Sequence, residues 1–491
     1  MMENVTRRQL LEGVGLSAAA LAASGAFAQN AHAEEVPEPT LQECQDAERQ
    51  AAKAQNRPMD PIKFVTALST DELDAMLEDR VEVTQDYVTP GGKVIPAVYV
   101  NLRNHINRCA AGVGSTCSGD DNWDLFMDFL SMEDAEHLLA MPVTKEIKAP
   151  DYARAIGVSE DEASDILNDL ADRSWLWRIR RGGMDVYQIM GLIPGIWEWH
   201  ELWEGQNGSA DSMLQFNIDC DSCWGEKRAT ASIYQPFVHV QACDDSVVEG
   251  VVPLYCDWNA ALDRFDRFGV MPCQCRTKNI SYGLSTPQDC YGIEGAEDPG
   301  RIETCVSMGE VAEYFVSAGL AREISRDEAR EIMRTSADDG NIIEGYSWKT
   351  GGAYCACNAN VCLFANAYKS MGPGVNSFQY LSDMNLAYDK AACIQCGACE
   401  ARCPMQVIEV DEGGYRIAGD VCFRCGQCAT VCPVGARKLV AKEPWESFER
   451  DEDLFDKNLT AARLNMALGG VVDFTGDIEE VRAADRFQMF G

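Results

Sequence analysis

The chain has little histidine, little positive charge and no long apolar run beyond its first residues. Five histidines in 491 residues stand scattered without a close pair, which gives no support for a haem or for catalysis centred on histidine. After the N-terminal segment no stretch reaches the roughly 18 to 20 apolar residues that a membrane-spanning helix needs. No dinucleotide fingerprint is present, because Gly112-Val-Gly114 lacks the strand, the spacing and the acidic partner of that motif. Lysine and arginine number 42 against 78 aspartates and glutamates, a formal net charge of −36. Phosphate backbones and anionic membrane surfaces repel such a chain, so no nucleic-acid partner is expected. The charge suits a soluble carrier that docks on basic patches of redox partners, and equally an acidic surface that only maintains solubility.

Cysteine, by contrast, is plentiful. The 22 cysteines are too few for a disulfide scaffold of this length and too many for an ordinary cytosolic enzyme, so metal ligation is the first explanation. Eight of them fall in two runs, Cys393-Ile-Gln-Cys396-Gly-Ala-Cys399-Glu-Ala-Arg-Cys403-Pro404 and Cys422-Phe-Arg-Cys425-Gly-Gln-Cys428-Ala-Thr-Val-Cys432-Pro433, the second repeating the first at an offset of 29. Zinc sites use four ligands in two C-x2-C knuckles, and this doubled run over-supplies them. Three thiolates two residues apart in a tight loop reach three irons of one cube, and the fourth iron then needs a distant ligand.

The spacing C-x2-C-x2-C-x3-C-P resembles the bacterial two-cluster ferredoxin family, over about residues 385–440. The resemblance implies two 4Fe-4S clusters, the fourth cysteine of each run serving the other cluster. Cys393, Cys396, Cys399 and Cys432 would hold one; Cys422, Cys425, Cys428 and Cys403 would hold the second. Gly397 and Gly426 stand where a side chain would crowd the cube and where positive φ is needed, and Pro404 and Pro433 end the loops. Val407 to Val410 and Tyr415 to Ile417 fit a hairpin between them.

Read in order, residues 1–33 look like a twin-arginine export signal. Arg7 and Arg8 precede an Ala-rich run, and Ala31-His32-Ala33 offers a cleavage site. A cluster protein exported folded would reside in the periplasm or elsewhere outside the cytoplasmic membrane. Residues 34–139 read as an acidic linker to about residue 60 and then a helical region, with Ser69 or Thr70 as a cap. Cys109 and Cys117 fit a local disulfide or metal binding. Residues 140–192 read as a winged-helix-like module, with helix Ala149 to Ile156, a turn at Gly157, a helix capped by Ser159, and a wing from Trp175 to Ile189. Its second helix is acidic, which excludes DNA and leaves a structural or partner-docking role. In the middle domain, 193–384, Trp197, Trp199, His200 and Trp203 read as core or interface. Cys220 and Cys223 fit half a metal site, a redox dithiol or a disulfide equally. The tail, 441–491, is expected to wrap back as helices.

The middle domain also carries Cys273, Cys275, Cys290, Cys305, Cys355, Cys357 and Cys362. Four of these suffice for a cube, so a third iron-sulfur cluster or another metal is expected here, against structural thiols or disulfides. Each C-x-C pair is expected to share one centre only across a bend. Met308 to Ser317 and Ser325 to Ala337 read as two capped helices between the cysteine groups. The order of features resembles large ferredoxin-domain proteins of strict anaerobes over roughly 140–440, although Ala356 and Asn358 interrupt a second cysteine group that is denser in those proteins.

The expected fold is α+β and multidomain, a largely helical body with the winged-helix-like module and a C-terminal dicluster ferredoxin-like domain. The expected function is electron transfer. Single electrons would pass through the clusters from a membrane or cytochrome donor to a partner reductase, with no catalytic residue assigned. The alternative is a cluster-fed reductase whose catalytic centre lies in the middle domain, similar in outline to the reductive dehalogenases.

Overall fold

The computed structural model describes residues 38–109, 123–143, 145–191, 195–196, 239–281, 302–347, 349–362, 365, 369, 382–411, 414–417, 422–449, 452–469, 471 and 473–476. The export-signal segment, Cys117, the Trp197 to Trp203 cluster, Cys220, Cys223 and Cys290 lie outside the described residues. Among the described residues no helix is long and apolar enough to cross a membrane.

Residues 38–60, the described part of the expected linker, are folded rather than extended as their acidity suggests. Helix α1 (Leu41–Gln55) occupies most of the stretch. Thr40 Oγ1 accepts the Glu43 N–H at 3.2 Å, and the Glu43 carboxylate accepts the Thr40 N–H at 2.7 Å, so two orphan donors are satisfied reciprocally. Glu48 is buried, and its carboxylate takes Arg57 Nη2 at 3.1 Å and the Asp60 N–H at 2.8 Å. The acids here cap and pair instead of holding a tether in water. Helix α2 (Pro61–Val65), helix α3 (Thr70–Glu78, capped by Ser69), a short hairpin of β1 (Tyr87–Val88) and β2 (Val94–Ile95), helix α4 (Ala97–Ile106) and helix α5 (Met132–Leu139) complete this region.

A buried basic pair at the end of α4 sets a pH dependence. His105 is fully buried beside Arg80, which donates to its Nδ1, and near Arg108. Burial, then the two guanidinium charges, hold its imidazole down to about 3 from 6.5. The unfolded chain therefore binds a proton that the folded chain refuses between these values. Stability from this residue is complete above pH 6.5 and is lost as the pH falls below it, by about 2 kcal/mol at pH 5. Urea midpoints of the wild type and His105→Gln at pH 7 and pH 5 check this. The gap between the two proteins is expected to narrow by about that amount at the lower pH.

Helix α6 (Ala149–Ile156), a left-handed turn at Gly157 (φ 80°), helix α7 (Glu160–Asp172) and the strands β3 (Leu176–Arg181) and β4 (Met184–Ile189) follow. Ser159 Oγ accepts the Glu162 N–H at 3.2 Å. Ala163, Leu167 and Leu170 face the core, as their spacing requires.

The largest element of the fold is a sheet that the sequence reading missed. Strands β5 (His239–Val240), β7 (Phe268–Pro272), β8 (Glu303–Gly309), β9 (Arg322–Ile324), β10 (Ile342–Ser347) and β11 (Gly351–Cys357) pair antiparallel in the order β5-β10-β11-β8-β7-β9. Strand β6 (Val248–Glu249) joins a different sheet. The body is thus mixed rather than largely helical. Helix α8 (Gln274–Ser281) leaves the end of β7, and helices α9 (Glu310–Ser317) and α10 (Arg326–Asp338) pack on the sheet. Met308, expected to begin a helix, lies in β8 instead. Helix α9 starts without a side-chain cap after Gly309, whose φ of 63° and crowding by Gly351 favour glycine. Trp177 on β3 packs against Phe315 on α9, and Tyr314 Oη donates to the Ala171 carbonyl at 2.9 Å.

At the C-terminal side, β12 (Met384–Tyr388) and β15 (Arg437–Ala441) pair antiparallel, and β6 adds in parallel to β15. Between β12 and β15 lie helix α11 (Ala398–Arg402), the hairpin β13 (Ile408–Asp411) and β14 (Gly414–Ile417), and helix α12 (Gln427–Thr430). Helix α13 (Leu454–Ala467) then returns to the N-terminal helices. Arg463 holds Asp74 with two bonds of 2.7 and 2.8 Å, and Phe474 exchanges two bonds with Asn104.

Candidate metal centres

The two cysteine loops share backbone features that the spacing alone does not fix. Gln395 and Arg424, equivalent at the offset of 29, both take φ of 56°, a conformation costly for residues with a Cβ. That strain turns each backbone N–H onto a sulfur. Gln395 N donates to Cys393 Sγ, and Arg424 N to Cys422 Sγ, both at 3.4 Å. Gly397 and Gly426 follow with φ of 75° and 87°, and the short helices α11 and α12 begin there. Ala436 N also donates to Cys432 Sγ at 3.2 Å. N–H groups aimed at sulfur stabilise thiolate and tune a bound cluster's potential.

One set of four donors fits a cube. Cys403, Cys422, Cys425 and Cys428 line one pocket together with Phe423 and Met405, so the fourth cysteine of the first run does face the second run. Burial pushes the Cys425 and Cys428 thiols up, the latter to about 12. Neutral thiols there would need iron to ionise them, and loading the site should release protons. The other loop lies at the surface, with Cys396 exposed. Cys393 is held below the ordinary thiol range by Tyr388 and by the Gln395 N–H, and Arg437, stacked 3.9 Å from the Tyr388 ring, adds a nearby positive charge.

Residues 392–436 match the family model of the 4Fe-4S dicluster domain. This segment is an iron-sulfur module suited to electron transfer. No curated protein and no solved structure matches the chain.

The dicluster domain is not tethered loosely to the rest. Arg402 Nη2 donates to the carbonyls of Ala337 and Asp338 at 3.0 and 2.7 Å, at the end of α10 where carbonyls lack partners. Gln427, fully buried, donates through Nε2 to Ala337 O and Asn341 O, each at 2.8 Å. The two glycines predict different tolerances. Gly397→Ala meets no atom within 4 Å and should cost only the strain of positive φ, about 1–2 kcal/mol. In Gly426→Ala the added carbon would also lie 2.7 Å from Leu439 Cδ1 and 3.1 Å from Cys243 Sγ. That variant should lose distinctly more stability and disturb the buried cluster's spectrum, as thermal midpoints and low-temperature EPR of the reduced proteins would reveal.

The middle cysteines converge on one place. Cys355 and Cys357 lie on β11, Cys305 opposite Cys355 on β8, and Cys273 and Cys275 at the junction of β7 and α8. Cys305 Sγ lies 3.8 Å from Cys355 Sγ, and Cys362 Sγ contacts Glu344 Oε1 on β10 at 3.4 Å. These free thiols are hydrogen-bonded, Cys273 with Cys275, Cys355 with Cys357, and Cys362 with both Cys275 and Cys357, so all six join one thiol network. The expectation that each C-x-C pair needs a bend fails for Cys355 and Cys357. Residues i and i+2 of an extended strand share a face, and the intervening Ala356 packs into the core on the other side. Cys273 and Cys275 do use a bend, from strand into helix.

Charge in this network is uneven. Cys305 and Cys357 hold Cys355 well below the ordinary thiol range, and Cys275 and Cys357 lower Cys362. Cys357 and Cys273 are pushed up by the same sharing. Glu344, buried among thiols, rises to about 7. Arg276 is 1 % exposed and donates to Thr304 Oγ1 at 2.6 Å, Asn341 Oδ1 at 3.2 Å and Ala356 O at 2.9 Å. Its cation also lowers Cys273 and Cys355. Arg276 directly follows Cys275 in the sequence, whereas no local spacing points to Glu344, which lies 11 residues before Cys355 and meets it only through the β10–β11 register.

Proposed function

We propose that the chain is an exported electron-transfer protein in which two 4Fe-4S clusters of the dicluster domain connect the surface to a third, buried iron-sulfur centre held by the six-thiol network. Iron-sulfur clusters supply reversible one-electron chemistry; the polypeptide supplies spacing, dielectric and docking.

The observation that carries this reading is the continuity between the two cysteine fields. Cys357 and Cys362 share one apolar cluster with Met405, Val407, Phe423 and Cys425, and Cys355, Cys403 and Cys422 pack against it. A polar route runs beside it, from Arg276 through Asn341 to Gln427, the residue before Cys428. At the opposite side, Ile394 and Val434 are 60 % and 42 % exposed beside Cys393 and Cys432. Apolar side chains at the rim of an exposed cluster suit transient docking of a redox protein, and the net negative charge suits a basic partner. Helix α7 with its acidic face offers a second docking surface, in keeping with a winged-helix-like module that binds protein.

A second reading, a reductase with its catalytic centre in the middle domain, draws on the donor count. Six thiols and a carboxylate exceed the four ligands of a cube. Burial favours the relay, since Cys357, Cys362 and Glu344 are 5, 2 and 2 % exposed. Analysis of iron, acid-labile sulfide, cobalt and flavin on protein purified without oxygen tests the choice. More than roughly eight irons, the content of two cubes, without an organic cofactor supports the relay. Eight irons alone would remove the third centre, and stoichiometric cobalt or flavin would favour the reductase.

A further inference from the structure

A second group of metal-binding side chains lies away from both cysteine fields. His239 on β5, Cys256 at the end of a helical turn (Leu254–Cys256) and Asp383 just before β12 are 3, 0 and 3 % exposed. His239 Nε2 lies 3.1 Å from Cys256 Sγ and 3.1 Å from Asp383 Oδ2, and the three donor atoms fall within 4.8 Å of one another. We propose that these residues bind a single divalent transition-metal ion, with zinc the best match to the donor set.

The geometry distinguishes a metal site from a nucleophilic triad of the same residue types. In a relay the carboxylate and the nucleophile address opposite nitrogens of the imidazole. Here sulfur and carboxylate converge on the same nitrogen, and one N–H cannot be donated well to both. A cation between them satisfies all three donors. Metal bonds of about 2.0–2.3 Å at tetrahedral angles separate neighbouring ligand atoms by roughly 3.3–3.6 Å, close to the two separations of 3.1 Å from His239 Nε2, with Cys256 Sγ and Asp383 Oδ2 within 4.8 Å of each other. Imidazole, thiolate and carboxylate together suit zinc, or ferrous iron, better than magnesium or calcium.

The surroundings support both positioning and entry. Gln241 Nε2 donates to His239 O at 3.3 Å and Tyr255 O at 2.8 Å, and Ala242 N donates to Cys256 O at 2.8 Å, so the strand and the turn are locked together. An open pocket bordered by Cys256 carries Asp244, Asp245, Asp257 and Asp338 at its walls, an acidic mouth that attracts cations. The ion would join the sheet edge to the first strand of the dicluster domain. It would also lie close to the buried cluster, since Cys243 N, four residues along from His239, donates to Cys425 O at 3.0 Å.

The test is metal analysis and cobalt substitution on the full-length protein purified without oxygen. The wild type and two near-isosteric variants, Cys256→Ser and Asp383→Asn, would be compared, with Cys357→Ser as a control directed at the thiol network. The expected result is one equivalent of zinc or non-cluster ferrous iron that both variants lose and Cys357→Ser keeps, while EPR of the reduced dicluster domain stays unchanged. Cobalt(II) taken up by the wild type should give a thiolate charge-transfer band that Cys256→Ser abolishes. Wild-type protein with no such equivalent and no cobalt band would overturn the proposal, as would retention of the metal by both variants. Iron assigned to the cubes is counted separately, so failure here leaves the relay intact, and failure of the relay leaves this site testable.

Discussion

Cys403→Ala will reproduce the defect of Cys425→Ala, and Cys432→Ala that of Cys399→Ala. Each variant should lose about four irons, one cube's content, and the surviving signal should differ between the two pairs. The reason is geometric. Cys403 ends the first run, yet it lines the pocket of Cys422, Cys425 and Cys428. Cys432 ends the second run and receives the N–H of Ala436, whose carbonyl accepts the Asp389 N–H at 2.9 Å, four residues before Cys393. Because one loop holds the buried Cys425 and Cys428 and the other the exposed Cys396, the two loops sit in different dielectric surroundings, and a cluster held by each should titrate at a different potential. Redox-poised EPR on the four variants reads which cluster remains. A Cys403→Ala spectrum matching Cys399→Ala would refute the crossed ligation.

What the sequence disclosed and what it concealed follow from how local each feature is. The dicluster loops are set within 41 residues, from Cys393 to Pro433, and their spacing alone forecasts the ligand loops, the glycine positions and the hairpin. Helices α3 and α7 were legible because capping residues and a 3.6-residue apolar period are local signals. The six-stranded sheet was not. Strand β8 is buried at Thr304 to Met308 without alternation, and a short run apolar on both faces cannot be told from helix by period. That miss hid the thiol network's logic, since the β10–β11 and β11–β8 registers bring Glu344 and Cys305 to Cys355. It also hid His239, Cys256 and Asp383, which no sequence spacing links. The acidic stretch after residue 38 misled for a different reason: composition counts Glu43 and Glu48 as solvated, whereas the fold uses one as a cap and buries the other.

Arg276→Leu will have the largest effect of any single change outside the dicluster domain. The guanidinium lies fully buried against a network in which Cys305, Cys357 and the Arg276 charge itself hold the Cys355 thiol well below its ordinary range, and it ties α8, β8, β11 and the turn at Asn341 through three bonds. Removing one member of a buried charge pair leaves the other uncompensated, at a cost of about 3–5 kcal/mol, beyond the loss of hydrogen bonds to Thr304, Asn341 and Ala356. The variant should keep the irons of the dicluster domain and lose those in excess of roughly eight, because thiolates without a counter-charge regain protons and no longer compete for metal. Arg276→Lys should fall between, since a single ammonium cannot serve three acceptors in different directions. Urea midpoints and iron counts on the same preparations separate the effects. If Arg276→Leu kept both full stability and full iron, the buried cation would have no part in holding the third centre. The network would then be a set of neutral structural thiols.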